Sequence, residues 1–183
     1  MWKDERVWQG NAADLLHKIA ISNRSRNYVA TAISREYYAA IDQISAESSD
    51  LKIKRTVYLV DNGKLKNAAD TGLKVGDKIR IVMEIEAAKQ LDYVHITDKK
   101  PSGIEPLTVL SGYKYQNGLN YYESPGDDEF NFFLNSISPG KYKLEYDAIV
   151  NLAGEISGGY THIYEMYNPQ SAAYAGSGIL SVK

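Results

Sequence analysis

"LNSISPGKYKLEYDAIV", residues 134–150, is the stretch on which the fold turns. A Pro139-Gly140 turn is followed at once by Tyr142, Leu144 and Tyr146 on alternate positions, with Lys143, Glu145 and Asp147 between them. Successive side chains of a strand point to opposite faces, so the pattern reads as a turn feeding a half-buried inner strand. In immunoglobulin-like sandwiches a tyrosine just after such a corner returns its hydroxyl to the backbone of the turn. Tyr142 stands in that place, with Ser136 to Lys141 as the corner.

Working outward, the alternation recurs. "LKIKRTVYLV" (51–60) runs into Asp61-Asn62-Gly63, whose Asn-Gly pair readily adopts positive φ and reverses the chain. "LKVGDKIRIVMEIEA" (73–87) sets Ile79, Ile81, Met83 and Ile85 inward against Lys78, Arg80, Glu84 and Glu86, with Val82 the single apolar outward residue. "LDYVHITD" (91–98) precedes the breaker-rich "KKPSGIEP" (99–106), and Asp98 to Pro106 is expected as an irregular, solvent-facing loop open to a neighbouring domain. "LTVLSGYKYQ", "LNYYES", "EFNFFLNSI", the corner strand, "ISGGYTHIYEMY" and "SGILSVK" complete roughly nine strand signals, turns falling every 8 to 14 residues or so, as in an antiparallel sandwich. The predicted fold is an all-β, immunoglobulin-like antiparallel sandwich over 51–183.

Residues 1–50 differ in character. "NYVATAISREYYAAIDQI" (27–44) carries Val29, Ile33, Tyr37, Ile41 and Ile44 near helical spacing, and the first four also fit alternate strand positions, so periodicity leaves both open. "SAESSD" (45–50) reads as a linker. The opening "MWKDERVWQG" has no apolar stretch of a signal peptide, and no run of about 18 apolar residues predicts a membrane span.

The 183 residues carry 21 basic and 23 acidic side chains, a net charge of −2, which gives no field to recruit nucleic acid. With no cysteine there is no disulfide, thiolate zinc site or cysteine nucleophile. Fifteen tyrosines against three phenylalanines suit strands that bury a ring and keep its hydroxyl near water.

Chemistry-bearing motifs are sparse. His17, His95 and His162 are far apart and form no ligand pair; the latter two are expected on strands, one near each sheet surface. Ser-x-x-Lys occurs at Ser111 to Lys114 and at Ser138 to Lys141, both in turns or strands rather than at the helix start that this nucleophile needs. Asp127, Asp128 and Glu129 beside Pro125-Gly126 read as a solvated loop, and Asn23-Arg24-Ser25 as a sequon. No catalytic group, cofactor site or metal site is predicted. The candidate interaction surface comprises Tyr113, Tyr115, Tyr121 and Tyr122 of "SGYKYQNGLNYYES", with Lys99, Lys100 and Glu105 of the preceding breaker-rich stretch; packing within the sheet is the competing role for the tyrosines.

The ordered series "LKVGDKIRI", "LDYVHITDKKPSGIEP", "SGYKYQNGLNYYES", "FNFFLNSISPGKYKLEYDAIVNLAGEISGG" and "MYNPQSAAYAGSGILSV" resembles the carboxy-terminal macroglobulin-like domain of bacterial α2-macroglobulin family proteins, particularly the Bacteroidetes type. Upstream, "ATAISREYYAAIDQI" (30–44) resembles the strand closing the preceding CUB-like domain, although Ser34 and Arg35 depart from that pattern. The resemblance implies a CUB-like remnant plus linker over 1–50. It also implies a non-enzymatic part of a protease trap, packing against thioester and CUB-like domains and meeting target proteases through the whole protein. A periplasmic, envelope-attached or secreted location follows from the same likeness. The rival reading, from the tyrosines and the loop "YYESPGDDE", is a surface-adhesion or carbohydrate-binding module.

Overall fold

The computed structural model describes Tyr28 and residues 50–183. The expectations for the CUB-like remnant, its linker, His17 and the Asn23 sequon lie outside the described residues. Thirteen strands follow in order: β1 (Leu51–Asp61), β2 (Lys64–Asn67), β3 (Lys78–Ala87), β4 (Leu91–Lys99), β5 (Ile104–Pro106), β6 (Gly112–Gln116), β7 (Leu119–Pro125), β8 (Glu129–Ile137), β9 (Gly140–Val150), β10 (Gly154–Ser157), β11 (Tyr160–Glu165), β12 (Asn168–Gly176) and β13 (Ile179–Val182). One helical turn, α1 (Ala68–Thr71), sits after β2, its start capped by the Asn67 side chain accepting from the Ala69 N–H at 3.1 Å.

The strands form a five-stranded sheet ordered β2-β1-β3-β9-β5, a six-stranded sheet ordered β12-β11-β4-β8-β7-β6, and the small pair β10-β13. Every named strand pair is antiparallel. The result is an immunoglobulin-like sandwich. Asn62 and Gly63, and likewise Asn117 and Gly118, take positive φ at the tips of the β1–β2 and β6–β7 hairpins, the conformation that a two-residue primed turn requires. The loop expected over 98–106 is shorter than its breakers suggested, and Asp98 and Lys99 belong to β4. Ile104–Pro106 pairs with β9, Pro101 and Ile104 are buried, and only residues 100–103 stay irregular.

Ile79, Ile81, Met83 and Ile85 face inward and are buried together with Phe130, Phe132, Leu134 and Leu144. Full burial of a side chain of this size contributes about 1.5–3 kcal/mol. Val82, outward as expected, is also buried. Thr56 and Glu145 flank it across the strands, and the stems of Arg80 and Glu84 lie beside it on the same face. That outer face of the five-stranded sheet is a lattice of opposite charges: Lys54–Glu84 at 3.6 Å, Arg80–Asp147 at 2.6 Å, Lys78–Asp147 at 2.7 Å and Lys143–Glu145 at 2.6 Å.

Between the sheets lies a wholly buried charged cluster. Arg55 of β1 grips Asp98 of β4 with two parallel bonds, Nε to Oδ1 at 2.7 Å and Nη2 to Oδ2 at 3.1 Å, and both side chains are wholly buried. Tyr146 of β9 donates its hydroxyl to Asp98 Oδ2 at 2.5 Å, and Thr161 of β11 donates to Oδ1. Arg55 Nη1 donates to the Gly158 carbonyl and to Ser177 Oγ, the latter at 2.7 Å. Four acceptor sites of the carboxylate are thereby used, as a buried charge requires. Burial alone works against the Arg55 charge, but the adjacent Asp98 carboxylate more than offsets it and holds the guanidinium pKa above its ordinary value. Burial, reinforced by the Asp98 charge, pushes the Tyr146 hydroxyl well up, so it remains a donor. The cluster ties one sheet (β1, β9) to the other (β4, β11). Gly159 must be glycine here: φ is +80°, and a Cβ would lie 2.3 Å from the Lys99 carbonyl oxygen.

Candidate functional site

The outer face of the six-stranded sheet is built by register. Tyr113 lies opposite Tyr122, Tyr122 opposite Phe133, Phe133 opposite His95, and His95 opposite Tyr164, a straight row from β6 to β11. The adjacent row runs Ser124, Asn131, Thr97, His162, Tyr174. Neither row contains a formally charged side chain. The nearest charges stand one row on, where Lys99 pairs with Glu129 at 2.5 Å and Asp128 at 3.1 Å.

Within the rows the rings lean on each other. His95 stacks on Phe133 with centroids 4.4 Å apart and planes 11° from parallel, and His162 stacks on Tyr174 at 4.2 Å and 4°. His162 also meets Tyr164 at 4.6 Å, and Tyr113 meets Tyr122 edge-on at 5.0 Å. Cross-strand neighbours sit about 4.8 Å apart, so near-parallel rings at this spacing stand upright and present their edges to solvent. Hydrogen bonds fix the centre. Asn131 donates from Nδ2 to Glu129 Oε1 at 3.1 Å, which turns its carbonyl oxygen toward His95 Nε2 at 2.7 Å. Nε2 therefore donates to Asn131, and Nδ1 stands 2.8 Å from the Tyr164 hydroxyl. Burial first, and then the nearby His95, lower the pKa of His162 to about 4. It is thus uncharged at neutral pH.

Exposure concentrates at the two ends of this face. Tyr113 and Tyr115 on β6 are 87% and 70% exposed, and at the other end Tyr93 and Tyr167 form an exposed edge-to-face pair at 5.3 Å. Of the sequence-derived candidates, Tyr113, Tyr115 and Tyr122 share the face. Tyr121 does not: as the chain neighbour of Tyr122 it points to the opposite side of β7, where it is buried edge-on against Phe132, and burial, with the Glu123 charge, pushes its hydroxyl up to about 12. Lys99 stands at the rim. Lys100 is folded down with its side chain 5% exposed, 3.9 Å from Glu105, which belongs to the other sheet. His95 and His162, expected on different sheet surfaces, stand on this same one. His95, Phe133, Tyr164, His162 and Tyr174 were not singled out as site residues. The outward phase of Phe133, His162, Tyr164 and Tyr174 is visible along their strands; that of His95 is not, because the phase of β4 shifts at Tyr93, and neither is the order that sets β4 between β8 and β11.

A family model described as the bacterial alpha-2-macroglobulin MG10 domain matches residues 51–170. Among solved structures, Escherichia coli alpha-2-macroglobulin activated by porcine elastase superposes with a TM-score of 0.64 at 22% identity over 76% of this chain and 14% of that one. A mutant of Salmonella alpha-2-macroglobulin gives 0.62 at 22% over 76% and 10%. Native E. coli alpha-2-macroglobulin from domain MG7 to the C-terminus gives 0.61 at 19% over 77% and 25%. The chain thus spans a quarter or less of these solved chains. No curated protein matches significantly.

Proposed function

Because the chain belongs to the bacterial alpha-2-macroglobulin family, we propose that its sandwich is a non-catalytic domain of a larger protease trap, acting by packing through the uncharged aromatic face of the six-stranded sheet. The MG10 match over residues 51–170 carries the reading. The contrast between the two outer faces supports it: one is a solvated lattice of ion pairs, the other offers rings, amides and hydroxyls without charge. Such a face loses little on desolvation, and its mutually held rings have little side-chain freedom left to lose. The neighbours are the thioester and CUB-like domains of the longer polypeptide, target proteases are met by the assembled protein, and the location is periplasmic or at the envelope. The domain makes and breaks no bond.

A sugar-binding role is less well supported. The faces of His95, Phe133, His162 and Tyr174, which would have to stack on a sugar ring, are already stacked on one another.

The test uses the full-length natural protein and elastase. Trapping is read as loss of cleavage of a large protein substrate with cleavage of a small peptide retained. Phe133→Glu, at a residue 38% exposed, is expected to lower trapping at an unchanged unfolding midpoint of the sandwich. Trapping at the wild-type level in a folded variant would overturn the reading.

A further inference from the structure

We propose that the crossover from β5 to β6 is a proteolytic modification site: an endoprotease with an apolar primary pocket hydrolyses the Leu110–Ser111 bond and leaves the sandwich as a folded two-chain form. Residues 107–111, Leu-Thr-Val-Leu-Ser, link the five-stranded sheet to the six-stranded one. The Leu107 N–H donates to the Asp147 carbonyl at 2.9 Å, and beyond it residues 108–111 make no turn or loop backbone hydrogen bond among the described residues. Ser111 reaches Ser124 by a long 3.5 Å hydroxyl contact. Val109 and Leu110 are 77% and 78% exposed. At Gly112, on the far side of the bond, a Cβ would meet nothing within 4 Å beyond its chain neighbours, so a protease can close around the backbone there.

A serine protease takes its substrate extended, with the residue before the cut bond in a pocket that is an apolar slot in chymotrypsin. Leu110 suits that slot, and the chain on either side can be drawn out. β5 has three residues, and β6 is an end strand paired with β7 alone, so fraying either at its end breaks few bonds. The other exposed apolar residues in turns of 51–183 are pinned. The Val75 N–H donates to the Lys183 carbonyl at 3.3 Å, and the Met166 N–H, in the two-residue turn that also holds Tyr167, donates to the Tyr93 carbonyl at 2.9 Å. Leu152 lies over Gly103 and follows Asn151, whose N–H donates to the Gly103 carbonyl at 2.7 Å.

Hydrolysis adds one water across the amide, forming a carboxylate on Leu110 and a free amine on Ser111, and the protease is regenerated. The two pieces stay together by topology. β9, from the second piece, lies between β3 and β5 of the first, and β4, from the first, lies between β8 and β11 of the second. Neither piece can leave without breaking both large sheets and opening the core they share. The proposal rests on this crossover and is independent of the role assigned to Phe133.

Limited proteolysis of the 183-residue chain by chymotrypsin, with cuts mapped by mass spectrometry, tests it. Within residues 51–183 the first cut is expected after Leu110. Its rate, corrected with a small peptide substrate, is expected to stay constant through urea concentrations below the unfolding transition, because local opening suffices. The cut pieces are expected to co-elute as one species on gel filtration and to part in denaturing urea. Leu110→Asp, at an exposed position, is expected to slow this cut more than about tenfold, since an apolar slot refuses a carboxylate. Tyr167→Asp is expected to leave it unchanged. A first cut elsewhere in 51–183, a rate that climbs with urea in step with global unfolding, pieces that separate on cutting, or a Leu110→Asp chain cut after position 110 as fast as the parent would each overturn the proposal. Elastase trapping by the full-length protein and its dependence on Phe133 are a separate measurement.

Discussion

At Arg55 a guanidinium occupies the inward phase of β1, sharing it with Leu51, Ile53 and Val57. Its partner Asp98 does the same in β4, and the two are worth most as a pair. Removing one member of a buried, hydrogen-bonded ion pair leaves the other charge without compensation and costs about 3–5 kcal/mol, whereas replacing both with apolar residues is often close to neutral. Arg55→Met is therefore expected to lower the unfolding free energy by about 3–5 kcal/mol in urea titration. Adding Asp98→Leu is expected to recover part of that loss, not all of it, because the Tyr146 and Thr161 hydroxyls then lack their acceptor. A loss that simply doubled in the double variant would refute the coupling. Half of this cluster was visible in the sequence. Arg55 interrupts an otherwise apolar inward series, but strict alternation from Leu91 puts Tyr93, His95 and Thr97 inside and Asp98 outside. Tyr93, at φ +53°, shifts the phase, so that Val94, Ile96 and Asp98 are buried instead.

Among the elements, the strands were legible and their lateral order was not. Period-two patterning follows from the pleat and is local, so β3, β8 and β9 could be read residue by residue. Which strand lies beside which depends on contacts far apart in sequence, and the aromatic rows, each crossing at least four strands, are invisible until that order is known. The corner is an exception because it is local: the Tyr142 hydroxyl donates to the Ser138 carbonyl four residues back, at 3.0 Å. The β6–β7 tip shows an element acting at a distance. Gln116 copies a strand's paired hydrogen bonds onto Glu145 and so keeps the side of β9 closed. Gln116→Ala removes both bonds, at about 1 kcal/mol each. It is expected to destabilise the domain by about 1–2 kcal/mol and to speed exchange of the Glu145 amide, while amides in the centre of β3 keep their order of protection. Unchanged exchange at Glu145 would show that water replaces Gln116 without loss.

For the whole molecule, the question is whether the sandwich is complete from Leu51. Its buried core among the described residues extends from Leu51 to Val182 and draws on both large sheets and the small one. The first and last pieces are tied to each other: Leu73 exchanges backbone bonds with Ser181 and Lys183 at 2.9 and 2.8 Å, and Ser177 reaches Arg55 across the cluster. Such closure is what a cooperative unit needs, since no group of strands can open without exposing apolar surface of its partners. The MG10 match begins at the same residue, 51. Deleting Met1 to Ser45 is therefore expected to leave a single cooperative transition by calorimetry, its midpoint within about 4 °C of the parent, the shift that about 1 kcal/mol produces in a domain of this size. The same truncated chain should keep the near-ultraviolet circular dichroism of its packed tyrosines, which reports the stacked face directly. Loss of the transition, or a chain that retains strand but loses that signal, would mean that residues before Ser45 supply packing that the sandwich needs.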